Sequence, residues 1–261
     1  MGAQENPENS ETSKTSGTSG TREPPEDREM ELREHIAELR YRLIRAMTVL
    51  SLLSAVIFFK SSELIPLFWE GLFREPMDIV TFTPTEWIAT RIYFSIASAF
   101  FIAYPHIVYE LYLFAKPGLY EHERKFVKTF IPFSYLLFLL GTALAYFIVI
   151  PKLYEFAVQE YLGAEPMLSV KKTLGNAVRI FISFGLVFQI PVVAAIASRL
   201  GMIDSNWLKG KRLLVYAGVF ILATNLTMDI TGLSQLIVLI LVVAMYELAI
   251  VISSVTYRKK N

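Results

Sequence analysis

The side chains able to do chemistry in this sequence are few, and they are scattered. There is no cysteine, which excludes a thiolate nucleophile, a thiolate metal site and a disulfide framework. The three histidines, His35, His106 and His122, form no His-x-x-x-His pair and no carboxylate cluster with metal-ligand spacing. A phosphate-binding glycine loop and a nucleophile elbow are both absent. What remains is a set of carboxylates, guanidinium groups and one amide, in three places. Met30–Ile44 reads MELREHIAELRYRLI, with Glu38 four residues ahead of Arg42, the favourable order for a helical ion pair. Lys116–Lys128 reads KPGLYEHERKFVK, where Pro117-Gly118 marks a turn and Glu121, His122, Glu123 and Arg124 follow on a short helical stretch. The third place is polarity inside apolar runs: Gln189, with His106, Glu110 and Glu247. Such groups bind charged partners and form hydrogen bonds. They do not make a catalytic pair, so no enzyme, metal site or cofactor is expected.

Taken from pattern alone, each place also has a plain structural reading. In the first, Leu32, Ile36, Leu39 and Leu43 form one apolar face, with Glu34, Glu38, Arg42 and Arg45 largely off it. This reads as a solvated interfacial helix laced with ion pairs worth about 0–1 kcal/mol each. The second reads as a charged loop. In the third, Gln189 is the most deeply placed group, and its amide must find partners. An interhelical hydrogen bond worth about 0.6 kcal/mol accounts for it as well as a functional role does.

The elements that carry these residues are membrane spans. Of the 261 residues, 54% are hydrophobic, and mean hydropathy is +0.44. The excess lies in six runs, near 43–59, 92–115, 130–150, 174–198, 213–223 and 233–255. A hydrocarbon core of about 30 Å needs roughly 20 helical residues. The fifth run is too short for that and reads either as a buried core helix or as a short span that thins the bilayer around it. Residues 1–28 are polar, rich in Ser, Thr, Gly, Glu and Pro, and are expected to be a disordered tail without the apolar segment of a signal peptide. A six-helix transmembrane domain is expected over 29–257 and a basic cytoplasmic end over 258–261.

Charge placement orients the spans. One side of the expected topology carries sixteen Lys and Arg: Arg28, Arg33, Arg40, Arg42 and Arg45; Lys116, Arg124, Lys125 and Lys128; Arg199, Lys209, Lys211 and Arg212; Arg258, Lys259 and Lys260. The other carries seven: Lys60, Arg74 and Arg91, then Lys152, Lys171, Lys172 and Arg179. The richer side is cytoplasmic by the positive-inside rule, so both ends are expected there. Pro105 and Pro191 lie within spans two and four, and Pro132 and Pro151 bracket span three. Bent helices that enclose a concavity are the expectation. No internal repeat is apparent, which weighs against a transporter built from inverted halves.

Several motifs, in order, resemble the TatC family, the large multi-spanning subunit of the twin-arginine protein translocase. His35-Ile36-Ala37-Glu38-Leu39-Arg40-Tyr41-Arg42-Leu43 is similar to the family's H-x-x-E-L-R-x-R-L. Phe82-Thr83-Pro84-Thr85-Glu86 precedes span two, followed by Pro105-His106-Ile107-Val108-Tyr109 and the run from Phe114 to Arg124. Ala145-Tyr146-Phe147 with Pro151, and Phe184-Gly185 with Phe188-Gln189-Ile190-Pro191, match spans three and four. The resemblance covers about Glu34 to Tyr257. It implies an all-α polytopic fold of six transmembrane helices, N-in and C-in, in a concave cup-like wall within the cytoplasmic membrane. It implies a receptor for twin-arginine signal peptides that works in an oligomeric complex with small single-span subunits, TatA-like and TatB-like, and is driven by the proton-motive force. No nucleic acid is implied. Carried over by motif, Glu38 and Glu123 resemble the two carboxylates that receive the arginine pair, and Arg40 and Phe114 fall at positions important for that surface. Two departures stand out. Gln189 occupies a position where the family usually has Glu. The outer turn keeps only Thr224 and Asp229 of the T-P-P-D pattern. The competing reading is a small-molecule secondary transporter with its site around Gln189.

Overall fold

The computed structural model describes residues 32–72, 81–157, 169–226 and 233–256. The expected tail over 1–28, the outer-turn residue Asp229 and the basic end over 258–261 lie outside the described residues.

The described chain is almost wholly helical. It comprises α1 (Leu32–Leu72), α2 (Pro84–Ala115), α3 (Glu121–Leu144), α4 (Ile150–Ala157), α5 (Val170–Val187), α6 (Ile190–Arg199), α7 (Ser205–Gly210), α8 (Arg212–Leu226) and α9 (Leu233–Thr256). Several helices start well before their apolar runs. The start of α2 is fixed by local chemistry: Thr83 Oγ1 accepts from the Glu86 N–H, Pro84 takes the first helical position, and the Glu86 carboxylate accepts from the Phe82 N–H. At α1 the charged lead-in and the first apolar run are one unbroken helix of 41 residues, about 60 Å long at 1.5 Å per residue. That is roughly twice the hydrocarbon thickness, so a large part of α1 stands outside the membrane core.

Breaks fall where the backbone ladder is disturbed. A π turn over Ala145–Val149 carries α3 into α4. Where one long span was expected over 174–198, the helix is interrupted at Phe188 and Gln189 and restarts as α6 with Pro191 in its first turn. Proline has no N–H to continue the α5 ladder, which favours a restart there.

Among the described residues five helical stretches are long and apolar enough to cross a membrane: Arg33–Leu72, Pro84–Gly118, Glu121–Glu155, Val170–Arg199 and Gln235–Thr256. The helix expected to be the fifth span, α8, has 15 residues and is about 22 Å long, short of a full crossing. Large apolar side chains such as Leu52, Val56, Phe59, Ile240 and Val251 point outward and are exposed, as suits helices solvated by lipid.

Inside the bundle, α1 packs along α2, α5 against α2 and α3, and α9 against α6 and α8. The main core joins Ile65, Trp69 and Leu72 of α1 to Phe94 of α2, Phe181 and Phe184 of α5 and Val238 and Val242 of α9. The α3–α5 contact is close enough to need glycine. A Cβ on Gly141 would lie 2.7 Å from both the Phe184 carbonyl oxygen and the Phe188 ring, and one on Gly185 would enter the Phe138 ring. Without a hydrophobic force between helices in lipid, such small-residue contacts are a main source of packing energy.

Candidate functional site

The candidate site lies where α1 begins, α2 ends and α3 begins. The expectation of a solvated charged face on α1 holds for Glu34 and Arg45, which are exposed, and not for Glu38 and Arg42, which are partly buried. Ile36, Leu39 and Leu43 are exposed, while His35, Glu38 and Arg42 turn toward α2. The apolar stripe is exposed, as are Arg33, Glu34, Arg40 and Arg45, and only His35, Glu38 and Arg42 are partly covered by α2.

His35 stacks on Phe114, with ring centroids 4.4 Å apart and planes at 22°, which ties the start of α1 to the end of α2. One turn further on, Glu38 accepts from Arg42: Oε1 is 2.6 Å from Nη2 and 3.0 Å from Nε. This is the pair read from the i,i+4 spacing. The same guanidinium also reaches α2, where its Nη1 lies 3.3 Å from Glu110 Oε2. Glu110 is only 3% exposed, and its other oxygen faces Arg45 Nη2 at 3.4 Å and His106 Nε2 at 3.8 Å. Glu38 Oε2, Glu110 Oε1 and His106 Nε2 are buried and have no hydrogen-bond partner. The long-range Arg42–Glu110 pair has no signature in the sequence. Its one legible hint is that a carboxylate within an apolar span needs a partner.

Glu123 lies in the first turn of α3, 5% exposed. Its Oε2 accepts from the Tyr120 N–H at 3.0 Å, satisfying a free amide at the helix start. Arg124 donates from Nε to the carbonyls of Lys116 and Leu119, at 3.0 and 2.8 Å, and so pins the turn over Lys116–Gly118. Arg40 is exposed. Thus the structure joins His35 to Phe114 and Glu38 to Arg42 and Glu110, while Glu38 and Glu123 engage separate partners.

Gln189 sits elsewhere, at the α5–α6 break. Its Oε1 accepts from Ser134 Oγ at 2.5 Å, and its Nε2 donates to the carbonyls of Ser134 and Gly185, at 3.1 and 3.3 Å. Tyr104 OH meets Ser134 Oγ at 3.1 Å. The amide is an interhelical tie among α2, α3 and α5. Glu247 accepts from Arg212 and Tyr216 of α8. A contact missed in the sequence joins Glu86 to Ser169, which caps α5 and donates its hydroxyl to the carboxylate. The signal that could have found half of it is Thr83-x-x-Glu86, a capping spacing. Among the described residues no group of three or more metal-ligating side chains could hold a metal ion.

Residues 34–240 match the family profile of TatC, the Sec-independent protein translocase protein. The TatC protein of Methanocella arvoryzae is 36% identical over 231 residues, covering 88% of this chain and 96% of its own. The TatC of Aquifex aeolicus is 31% identical over 240 residues, covering 89% and 98%. A crystal structure described as the twin arginine translocase receptor TatC superposes with a TM-score of 0.77 at 28% identity, covering 86% of this chain and all of that one. The matched span runs from α1 into α9 and includes the charged end where α1, α2 and α3 meet, and the chain belongs to the TatC family of multi-pass proteins of the cytoplasmic membrane, a component of the twin-arginine protein translocase.

Proposed function

We propose that this TatC protein is the translocase's receptor for signal peptides carrying two adjacent arginines, and that Glu38 and Glu123 receive the arginine pair. The observation that carries this is the His35–Phe114 stack, because it fixes α1, which bears Glu38, to the end of α2, from which the Lys116–Gly118 turn leads directly to Glu123 at the start of α3. A guanidinium presents a planar fork that a carboxylate can accept bidentately, whereas an ammonium offers a point charge. Glu123 is oriented by its bond to the Tyr120 N–H before any ligand arrives, which lowers the ordering cost of binding. Both carboxylates are largely shielded from water, Glu38 with 18% of its side chain exposed, so each charge-assisted contact is worth about 1.5–3 kcal/mol. Arg40 and Phe114 serve the same surface. The apolar part of the signal lies against the concave wall, TatA-like and TatB-like single-span subunits join the complex, and the proton-motive force drives passage of folded cargo. The protein itself carries no catalytic chemistry. The comparisons give no support to a small-molecule transporter, and the partners already held by the Gln189 amide count against a solute site there.

The direct test is peptide binding. Glu38→Ala and Glu123→Ala should each weaken a twin-arginine signal peptide by roughly tenfold or more, given 1.4 kcal/mol per decade. Unchanged dissociation constants for both variants would refute the assignment. The same reading places six crossings with both ends in the cytoplasm. A reporter fused after Asn261 should be cytoplasmic and one inserted within 155–165 external; finding both on one side would remove α8 as a crossing.

A further inference from the structure

The carboxylate assigned to the signal is already taken. Glu38 Oε1 holds the Arg42 guanidinium through two nitrogens, while Glu38 Oε2 is buried without a partner. Arg42 is also within reach of Glu110 on α2, which is nearly fully buried and has an oxygen of its own without a hydrogen bond. A signal guanidinium cannot take a bidentate hold on Glu38 while Arg42 fills Oε1 through two nitrogens, because that fork needs both carboxylate oxygens. We propose that Arg42 is an internal stand-in for a signal arginine: it occupies Glu38 in the free receptor, and Glu110 takes it over when a signal guanidinium binds.

The exchange conserves pairing. In the free protein Arg42 spans two carboxylates, closely at Glu38 (2.6 Å) and more loosely at Glu110 (3.3 Å). In the complex Glu38 holds the ligand's guanidinium, and Glu110 holds that of Arg42 beside its existing contact with Arg45. No buried charge is stranded at any stage, which matters because an unpaired buried charge is very costly. Competition lowers the affinity of every ligand that must take Glu38 by the same factor. Arg42 therefore sets a threshold for binding, and does not change the ratio by which Glu38 prefers arginine over lysine. It also makes the closure of Arg42 on Glu110, a contact between α1 and α2, a consequence of occupancy.

The inference rests on the proposed role of Glu38, and one set of measurements separates the two. Dissociation constants are measured for a synthetic twin-arginine signal peptide and its Gln-Gln version, with the full-length chain in lipid nanodiscs. Arg42→Gln removes the competitor and should tighten the twin-arginine peptide by roughly three- to tenfold, leaving the Gln-Gln peptide unchanged because it does not use Glu38. Glu110→Gln removes the place to which Arg42 retreats and should weaken the twin-arginine peptide by a similar factor. In an Arg42→Gln background Glu110→Gln should then have no effect on that peptide. Weaker or unchanged twin-arginine binding by Arg42→Gln overturns the proposal, as does a Glu110→Gln loss that persists without Arg42, the mark of a merely structural role. If Glu38→Ala leaves twin-arginine binding intact, the receptor assignment itself fails; if Glu38→Ala weakens it and Arg42→Gln does nothing, only the stand-in role fails.

Discussion

Gln189, at the α5–α6 break, and Glu110, within α2, are both buried polar side chains in apolar surroundings, 8% and 3% exposed, yet their partners differ in kind. The Gln189 amide is neutral, with its oxygen and its nitrogen both bonded, to Ser134 and Gly185. Around Glu110 the groups are charged, the distances are longer, and three buried atoms lack hydrogen bonds. A fully satisfied network rigidifies, whereas a partly satisfied one stores an unmet demand for a partner. The first region therefore reads as a tie that holds α3 against α5, and the second as a site poised to exchange partners.

If that contrast is right, the largest effect should come from packing beside the tie. Gly141→Val would drive a side chain into the Phe184 carbonyl and the Phe188 ring. It should cost 3 kcal/mol or more, on the order of the upper end for overpacking, read as loss of the folded protein in detergent melting. A melting curve like the wild type would show that α3 and α5 are not so close.

Next in size is the tie itself. Gln189→Leu leaves the Ser134 hydroxyl with Tyr104 alone and removes the donor to the Ser134 and Gly185 carbonyls, and should cost about 1–3 kcal/mol, with impaired export. Gln189→Glu should cost less, since a carboxyl still accepts from Ser134 and, when protonated, donates to one of the two carbonyls. Equal stability of the Leu variant and the wild type would remove the distinction between the two regions.

The smallest effect belongs to Glu121 and Lys125, an ion pair 3.3 Å apart at the start of α3 with both side chains more than three-quarters exposed. Water and salt screen such pairs. Glu121→Gln should leave melting and peptide binding unchanged within error, while Glu123→Ala, two residues away, weakens binding. An equal loss from both would mean that the surface acts through net charge alone.

What could be read in advance follows the range of the interactions. The apolar runs locate the long helices because a membrane span imposes length and composition together. Glu38 with Arg42 is local, one helical turn, and the pair stands as its spacing predicts. Arg42 with Glu110 joins residues 68 apart in sequence, and neither periodicity nor propensity carries that pairing. The facing of α1 was legible in part: Glu34 and Arg45 are exposed as a solvated face requires, while Glu38 and Arg42 turn to α2 through a pairing that the stripe does not carry. The hydrophobicity that would bury Ile36 and Leu43 in a soluble protein exposes them here. Local hydrogen bonding also outran the hydrophobic signal at α2, where the Thr83 cap starts the helix eight residues before Ile92. Gln189 was legible as a group needing partners, but Ser134 is 55 residues away.

In the proposed receptor role Glu38 and Glu123 each hold a guanidinium of the signal. The most direct measurement is a double-mutant cycle between each carboxylate and each signal arginine, scored as peptide binding to the full-length chain. Coupling of about 1.5–3 kcal/mol is expected for one arginine with Glu38 and for the other with Glu123, as for charge-assisted contacts in a partly shielded groove. Strictly additive losses, with no coupling at either carboxylate, would contradict it and place the reading of the arginines elsewhere.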